Sequence, residues 1–402
     1  MLHKTTLQNI AKKYGTPVYV YDLDQISIQY HKLLSAFPEF CSVFFASKAL
    51  SNIHILNYMK NIGLCIETSS LNEVKLGLLA GHQAKNIIYN GNGIDFAEIC
   101  EIVQLGVFTL IDSISNVEKF GKHFGSEVPL GIRWRPNISD GGNIKISTGH
   151  AHSKFGIPIE QADQVLKLQK KYGLNMVAQS IHTGSELQKI DSFKKQALVF
   201  KELLSKFPKT EILDFGGGFK VPYRETEKEF DPNLLTPTFV KLHKELTKIF
   251  QRSFRFWVEP GKFLVASSGY LIAKINVIKD NPEQTLLCLN TGFNHLIRPM
   301  YYGAYHPIEP LTNRKTASKK YTIVGNLCET DTFATGRYLP TVKENDFLVF
   351  KMAGAYGFEM SSHYNSRLKP VQVAVLKDNF FLISQPDTIE NITQFQQNLE
   401  HD

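Results

Sequence analysis

Short apolar, β-branched runs alternate with helix-patterned segments over most of this chain. The runs are CSVFFASKA (41–49), LCIETSS (64–70), NIIYNGNG (86–93), VFTLIDSI (107–114), VPLGIRWRP (128–136), NMVAQSIHTGS (175–185), EILDFGGGF (211–219) and RFWVEPG (255–261). Between them lie segments such as LNEVKLGLLAG, in which Leu71, Val74 and Leu78 recur at helical spacing, and QISIQYHKLLSAF precedes the first run. Eight strands alternating with helices over roughly 240 residues predict a closed (β/α)8 TIM-like barrel, with a doubly wound open sheet as the alternative. After about residue 265 the rhythm changes. YLIAKINVI, TLLCLN, YTIVGNLCE, DFLVFKMAGAY and VQVAVLKDNFFLI are strand-like without helices between them, and Lys377, Asp378 and Asn379 read as a hairpin turn. A C-terminal all-β domain is expected there, which the early strand TPVYVYD (16–22) is placed to join. The expected division is a barrel over 25–265 and a β-sheet domain built from 1–24 and 266–402.

Composition narrows the classes of function. The net charge is +7, but the lysines are scattered, and the densest basic group, NRKTASKK (313–320), has no interleaved aromatics. Nucleic acid is therefore not an expected partner. The five cysteines (Cys41, Cys65, Cys100, Cys288, Cys328) are odd in number and lack metal-ligand spacing, so reduced thiols and no metal are expected. MLHKTTLQNIAKKYG has no signal-peptide core and no apolar run is long enough to span a bilayer, which predicts a cytoplasmic protein without a membrane partner.

The active site of such a barrel lies at the C-terminal ends of its strands. In order those ends supply Lys48, Glu67 with Ser69, Asn90, Asp112, Arg133, His182 with Ser185, Asp214 followed by Gly216, Gly217 and Gly218, and Glu259 before Pro260 and Gly261. Each alone has a plainer reading: a snorkelling lysine, a satisfied histidine, a flexible glycine turn. Together they suit pyridoxal 5'-phosphate, which needs a lysine amine, a phosphate cradle, a flat group over its ring and a carboxylate at its pyridine nitrogen.

These motifs resemble those of the group III pyridoxal-phosphate decarboxylases, most closely the diaminopimelate decarboxylases. FASKAL is similar to YAxKAN, HTGSE to HxGSQ, GGGF to GGGL and EPGK to EPGR. In the second half IRPMYYGAYH resembles RPxLYxAxH, GNLCETDTF resembles GPxCESxD, and GAYGFEMSSHYNSR resembles GAYGxxMxSxYNxR. The resemblance implies an alanine-racemase-like enzyme of fold type III that carries the cofactor on Lys48. It assigns Arg133, His182, Ser185, Gly216, Gly217, Gly218, Glu259, Pro260, Gly261, Lys262 and Tyr356 to the cofactor. Arg298, Tyr302, Glu329, Lys262 and Tyr356 fall to a small diamino acid substrate, and Cys328 becomes the proton donor. It further implies a homodimer with shared active sites, acting as a carboxy-lyase that turns meso-2,6-diaminopimelate into L-lysine and carbon dioxide. Decarboxylation of carboxynorspermidine, ornithine, lysine or a D-amino acid, and a non-catalytic cofactor-binding role, stand as the alternatives.

The chain departs from the family pattern at particular residues. Lys262 replaces an arginine, Asn290 and Glu67 replace aspartates, SSLNE replaces SGGE, and CETD is one residue shorter than CESxD. A lysine offers a single-point charge where arginine offers a planar fork.

Overall fold

The computed structural model describes residues 2–138, 152–184, 190–312, 314 and 316–396. The chain forms two compact units, one of Met1–Ile26, Tyr223–Glu225 and Val265–Asp402, the other of Ser27–Pro222 and Thr226–Leu264. In chain order the strands are β1 (Val18–Asp22), β2 (Cys41–Ala46), β3 (Cys65–Thr68), β4 (Ile87–Tyr89), β5 (Phe108–Ile111), β6 (Pro129–Arg135), β7 (Ile157–Pro158), β8 (Asn175–Ile181), β9 (Ile212–Asp214) and β10 (Arg255–Val258). They continue with β11 (Gly269–Asp280), β12 (Thr285–Leu289), β13 (Ile308–Pro310), β14 (Ser318–Val324), β15 (Thr332–Pro340), β16 (Phe347–Phe350), β17 (Val371–Leu376) and β18 (Asn379–Leu382).

In the second unit β2, β3, β4, β5, β6, β8, β9 and β10 pair in parallel around a closed ring, with the short β7 appended to β6. The pairing of β5 with β6 closes the ring, so the eight-stranded barrel holds and the open-sheet alternative does not. Phe44, Ile88, Leu110, Ala178, Ile212 and Trp257 form one buried cluster, contributed by six of the eight strands. Gly131 makes room in it, because a Cβ there would lie 2.3 Å from Leu110 Cδ2 and 2.9 Å from Ala178 Cβ. Residues of opposite parity in β10 face the surrounding helices: Phe256 packs with Phe215 and Phe239, ring centroids 5.2 and 5.5 Å apart.

In the first unit β1 lies between β11, antiparallel, and β17, parallel, so the N-terminal strand is interior to a sheet made largely from the end of the chain. All five of its residues are buried. Val18, Val20, Ile272, Val349, Val373 and Val375 pack there with Leu7 and Ile10 of the helix Lys4–Tyr14. The β17–β18 hairpin turns at Lys377 (φ 48°) and Asp378 (φ 64°), the paired left-handed residues of a two-residue turn. The pattern of bare strands is corrected at Arg298–Tyr302, a short helix between β12 and β13. Strands β13 and β15 were not visible in it either. In TFATGRYLP the alternation is interrupted at Gly336 (φ 63°), beside a register shift against β14, as expected of a bulge.

Candidate active site

The barrel's inward rows change character at one end. Two residues on from buried Ile88 comes Asn90, from Gly131 Arg133, from Ala178 Ser180 and then His182, from Ile212 Asp214, and from Trp257 Glu259. Since side chains alternate along a strand, each polar residue faces the way its apolar predecessor does, one step nearer the mouth. The same spacing leads from Cys65, which packs against the cluster, to Glu67.

Lys48 stands on a single 3₁₀ turn, Ser47–Ala49, directly after β2. Its Nζ donates to Glu67 Oε2 at 3.0 Å and to Ser69 Oγ at 3.3 Å. Ser69 Oγ also donates to Glu67 Oε1 at 3.1 Å, so the buried carboxylate is held from both sides. Glu73, in the first turn of the helix Leu71–Leu79, accepts from Ser69 N at 2.6 Å and from Ser47 Oγ at 3.2 Å. Ser70 caps that helix by accepting from Glu73 N at 3.2 Å. Glu73 therefore ties the turn carrying Lys48 to the strand end carrying Ser69, a role missed in the sequence although S-x-x-E is the signature of a capped helix start.

Glu259, at the end of β10 next to β2, is buried, and Asn90 Nδ2 donates to its Oε1 at 3.1 Å. Arg133 donates in turn to Asn90 Oδ1 at 3.2 Å and lies 4.9 Å from the Phe155 ring. Asp214 accepts from Ser180 Oγ at 2.6 Å and from Gly216 N at 2.9 Å. Burial raises the Glu259 carboxyl well above its usual range, reinforced by the charges of Asp214 and Glu67 and opposed by Lys48 and Arg133. Burial also lifts Asp214, to about 6.

The glycine turn is sterically exact about its neighbours. A Cβ on Gly217 would lie 2.0 Å from Glu259 O, and one on Gly216 (φ 65°) would lie 2.5 Å from His182 Nδ1. Only glycine permits this approach. Gly217 N donates to His182 Nδ1 at 3.2 Å, so the imidazole is an acceptor there and its proton resides on Nε2. Burial, with the Arg133 and Lys48 charges, pushes His182 down to about 3 and keeps the ring neutral. Gly216 and Gly217 thus spend their amides within the protein, and Gly218 follows at φ 98°, half-buried. An amine, a neutral flat imidazole, a buried carboxyl and a glycine turn with no room for side chains fit pyridoxal phosphate. Pro260 and Gly261 are buried, and Pro260 O accepts from Ala46 N at 3.2 Å, linking β10 to the strand before Lys48. Lys262 is buried too, at the start of the helix Lys262–Val265. Ser185 lies outside the described residues.

The other predicted residues belong to the first unit. Arg298 is buried beneath the Tyr223 ring, 4.7 Å from its centroid, and its Nη1 is 3.3 Å from His306 Nε2. His306 Nδ1 donates to Lys351 O at 3.0 Å, which leaves Nε2 free of a proton to accept from the guanidinium. Tyr302 is half-buried with its ring 4.7 Å from that of Tyr301. Cys328 and Glu329 are exposed on one loop: Cys328 N donates to Asn365 Oδ1 at 2.9 Å, and Glu329 Oε1 accepts from Tyr364 at 3.0 Å. The shortened CETD segment is closed by Asp331, whose carboxylate accepts from Phe293 N at 2.8 Å and Leu327 N at 3.2 Å. Tyr356 is a half-buried residue at φ 55°, a conformation that costs a non-glycine residue energy and collects at functional sites. All five cysteines are free thiols.

Two departures acquire reasons. Asn290 Nδ2 donates to Thr16 O at 2.7 Å and Thr16 Oγ1 at 2.9 Å, while its Oδ1 accepts from Lys274 N at 2.8 Å. An aspartate has no N–H to give Thr16, so the amide here knits the sheet. Glu67 touches the candidate lysine itself.

Residues 23–266 match the model of the pyridoxal-dependent decarboxylase family, pyridoxal binding domain. The chain is 30% identical over 401 residues to the diaminopimelate decarboxylase of Methanothermobacter thermautotrophicus, covering 96% of this chain and 93% of that protein. To the enzyme of the same name from Pseudomonas fluorescens it is 31% identical over 402 residues, covering 96% and 94%. Among solved structures, the Helicobacter pylori diaminopimelate decarboxylase complexed with L-lysine is 27% identical, with a TM-score of 0.89 over 97% of this chain and 99% of that one.

Proposed function

Because the chain belongs to the pyridoxal-dependent decarboxylases, we propose that it releases one carboxylate of meso-2,6-diaminopimelate as carbon dioxide and yields L-lysine. What carries the reading is the barrel mouth, where Lys48 opposes Glu67 and a neutral His182 shares the rim with buried Glu259. The choice of substrate is supported by the nearly full-length likeness to diaminopimelate decarboxylases.

The cofactor, when bound, supplies an electron sink for the pair left at the substrate Cα once the carboxylate departs. Lys48 provides the amine that ties it to the barrel. Its place beside Glu67 gives the amine a partner that could take or return its proton. His182 presents a flat face and adds no charge that would compete with the sink. Glu259 would hold the proton at the pyridine nitrogen, and Arg133, acting through Asn90, steadies that carboxyl. Gly216, Gly217 and Gly218, together with Ser185 and Tyr356, would hold the phosphate. With two of the three glycine amides already donating inside the protein, Gly218 bears most of the triplet's share.

Cys328 delivers the Sγ proton to the substrate Cα, as a general acid does when placed against a carbanion. Arg298, Tyr302 and Lys262 bind the distal carboxylate, and Glu329 the distal ammonium. The family resemblance supports a cytoplasmic homodimer as the working form, in which each site takes the Cys328 and Glu329 loop from the second copy. The decisive test offers the purified protein meso-diaminopimelate, L-lysine, L-ornithine and carboxynorspermidine in parallel and measures carbon dioxide. Release from meso-diaminopimelate with L-lysine as product is expected; release only from one of the others overturns the substrate assignment.

A further inference from the structure

The loop of Cys328 and Glu329 is held by the end of the GAYGFEMSSHYNSR stretch: Asn365 Oδ1 takes the Cys328 amide, Tyr364 donates to Glu329, and Arg367 donates to Asn326 O. Residues 364–368 are exposed, and Asn365 (φ 56°) and Ser366 (φ 52°) stand in left-handed conformations that surrounding contacts must offset. One carboxylate grips both ends of this turn. Asp387 Oδ2 accepts from His363 Nε2 at 2.6 Å and from Lys369 N at 2.8 Å, while its Oδ1 accepts from Thr388 N at 3.2 Å. The His363 and Asp387 side chains are 34% and 14% exposed, enough shielding from water for a hydrogen bond to a charged acceptor to count. Partial burial by itself would raise the Asp387 carboxyl; the Lys369 amide, His363 and the Thr388 amide outweigh it and hold the group below the usual carboxylate range. The ionised carboxylate only accepts, so the His363 proton lies on Nε2.

Asp387 is placed independently of the turn it grips. It follows β18, where Ile383 N donates to Gln372 O at 2.9 Å and Ser384 Oγ accepts from Gln372 N at 2.8 Å. From another side Ser362 N donates to Asn294 O at 2.8 Å and His295 Nε2 to Leu368 O at 3.0 Å, so losing Asp387 loosens the turn without releasing it. All of these residues belong to one compact unit. His363 fills a position that the pattern GAYGxxMxSxYNxR leaves open, and Asp387 lies beyond every motif of the resemblance.

We propose that Asp387 is a positioning residue for the proton donor and the distal-ammonium site: by clasping His363 and Lys369 it fixes the turn from which Asn365 and Tyr364 hold Cys328 and Glu329. The proposal rests on the roles given above to Cys328 and Glu329. A thiol delivers its proton over a short, aligned path, so a small loosening of the loop costs rate.

The test uses the full chain loaded with pyridoxal phosphate. Hydrogen–deuterium exchange reads the Cys328 amide, and carbon dioxide release from meso-diaminopimelate reads the reaction. Asp387→Ala is expected to speed exchange at Cys328 roughly three- to tenfold and to lower kcat/KM by a similar factor, with cofactor absorbance unaltered. Part of the loss should appear in kcat through Cys328 and part in KM through Glu329. In a background where Tyr364→Phe and Asn365→Ala have already cut the turn from the loop, Asp387→Ala should change kcat/KM by less than about twofold, since sites acting along one path do not add. Unchanged exchange at Cys328 in Asp387→Ala overturns the proposal. So does a full further loss in the unlinked background, which would make Asp387 a general stabiliser. Should Asp387→Ala not fold, His363→Ala, which removes one of the two grips, faces the same measurements under the same criteria. Faster exchange without any kinetic change removes the Cys328 loop from the reaction, and the positioning role of Asp387 with it. A wild type that binds the cofactor but releases nothing from meso-diaminopimelate overturns the functional reading, while exchange at Cys328 still decides whether Asp387 holds the loop.

Discussion

Lys262 replaces an arginine of the family pattern at a position that the fold buries, 9% exposed at the first residue of a short helix. A buried ammonium has to be answered by an opposite charge or by several acceptors, whereas a surface lysine has water. Within the proposed site it gives the substrate carboxylate one charged contact in place of a two-point fork. Lys262→Ala is expected to remove a contact of about 1.5–3 kcal/mol, a roughly ten- to hundredfold loss in kcat/KM on meso-diaminopimelate. Steady-state kinetics on the cofactor-loaded variant check this, and unchanged efficiency would take Lys262 out of the substrate site. Glu67 and Asn290 show that departures from a family pattern differ in kind: one touches Lys48, the other donates to Thr16 inside a sheet.

At the scale of elements, the loop carrying Cys328 and Glu329 is held by the Tyr364–Ser366 turn, with the Cys328 amide on Asn365 and the Glu329 carboxylate on Tyr364. Phe293 stacks on Tyr364 with ring centroids 5.5 Å apart, and Arg367 Nη2 donates to Asn326 O at 3.1 Å. The YNSR motif is thus the brace of the CETD loop, and Asn365 (φ 56°) takes a left-handed conformation that asparagine tolerates. Asn365→Ala should free the backbone at Cys328 and lower kcat by roughly three- to tenfold, the worth of about 1 kcal/mol. Cofactor absorbance should be unaltered, since the barrel is untouched. Loss of the cofactor band in this variant, or an unchanged kcat, would mean that the brace does not serve the proton donor.

Across the whole molecule, the residues assigned to cofactor and substrate divide between the two compact units. Lys48, Arg133, His182, Glu259 and Lys262 belong to the barrel; Arg298, Tyr302, Cys328, Glu329 and Tyr356 belong to the unit built around β1. If each site draws its Cys328 loop from a second copy, Lys48→Ala and Cys328→Ala proteins, each nearly inactive, complement one another when mixed. Random exchange in a two-fold dimer makes half of the dimers mixed, each with one intact site, so recovery should approach about a quarter of wild-type activity. Native mass spectrometry establishes the exchange. Complete exchange without recovery would place Lys48 and Cys328 in the same site of the same chain, or remove Cys328 as the donor.

Much of this protein was legible in the chain because its determinants are local. A parallel barrel strand buried on both faces must read as a short apolar run, and a strand end at the mouth must turn polar, so eight runs ending in Lys48, Glu67, Asn90, Asp112, Arg133, His182, Asp214 and Glu259 announce both barrel and rim. The Lys377–Asp378 turn was legible for the same reason. What tertiary structure alone decided concerns partners distant in sequence. No spacing reveals that Asn90 holds Glu259, 169 residues away, or that His306 Nε2 receives Arg298. Nor does any local pattern show that β1 is interior to a sheet completed some 350 residues later. Hydrophobic periodicity encodes which face of an element is buried, whereas the hydrogen-bonding partner of a buried polar group, and with it the residence of a proton, is fixed only when folding brings the two together.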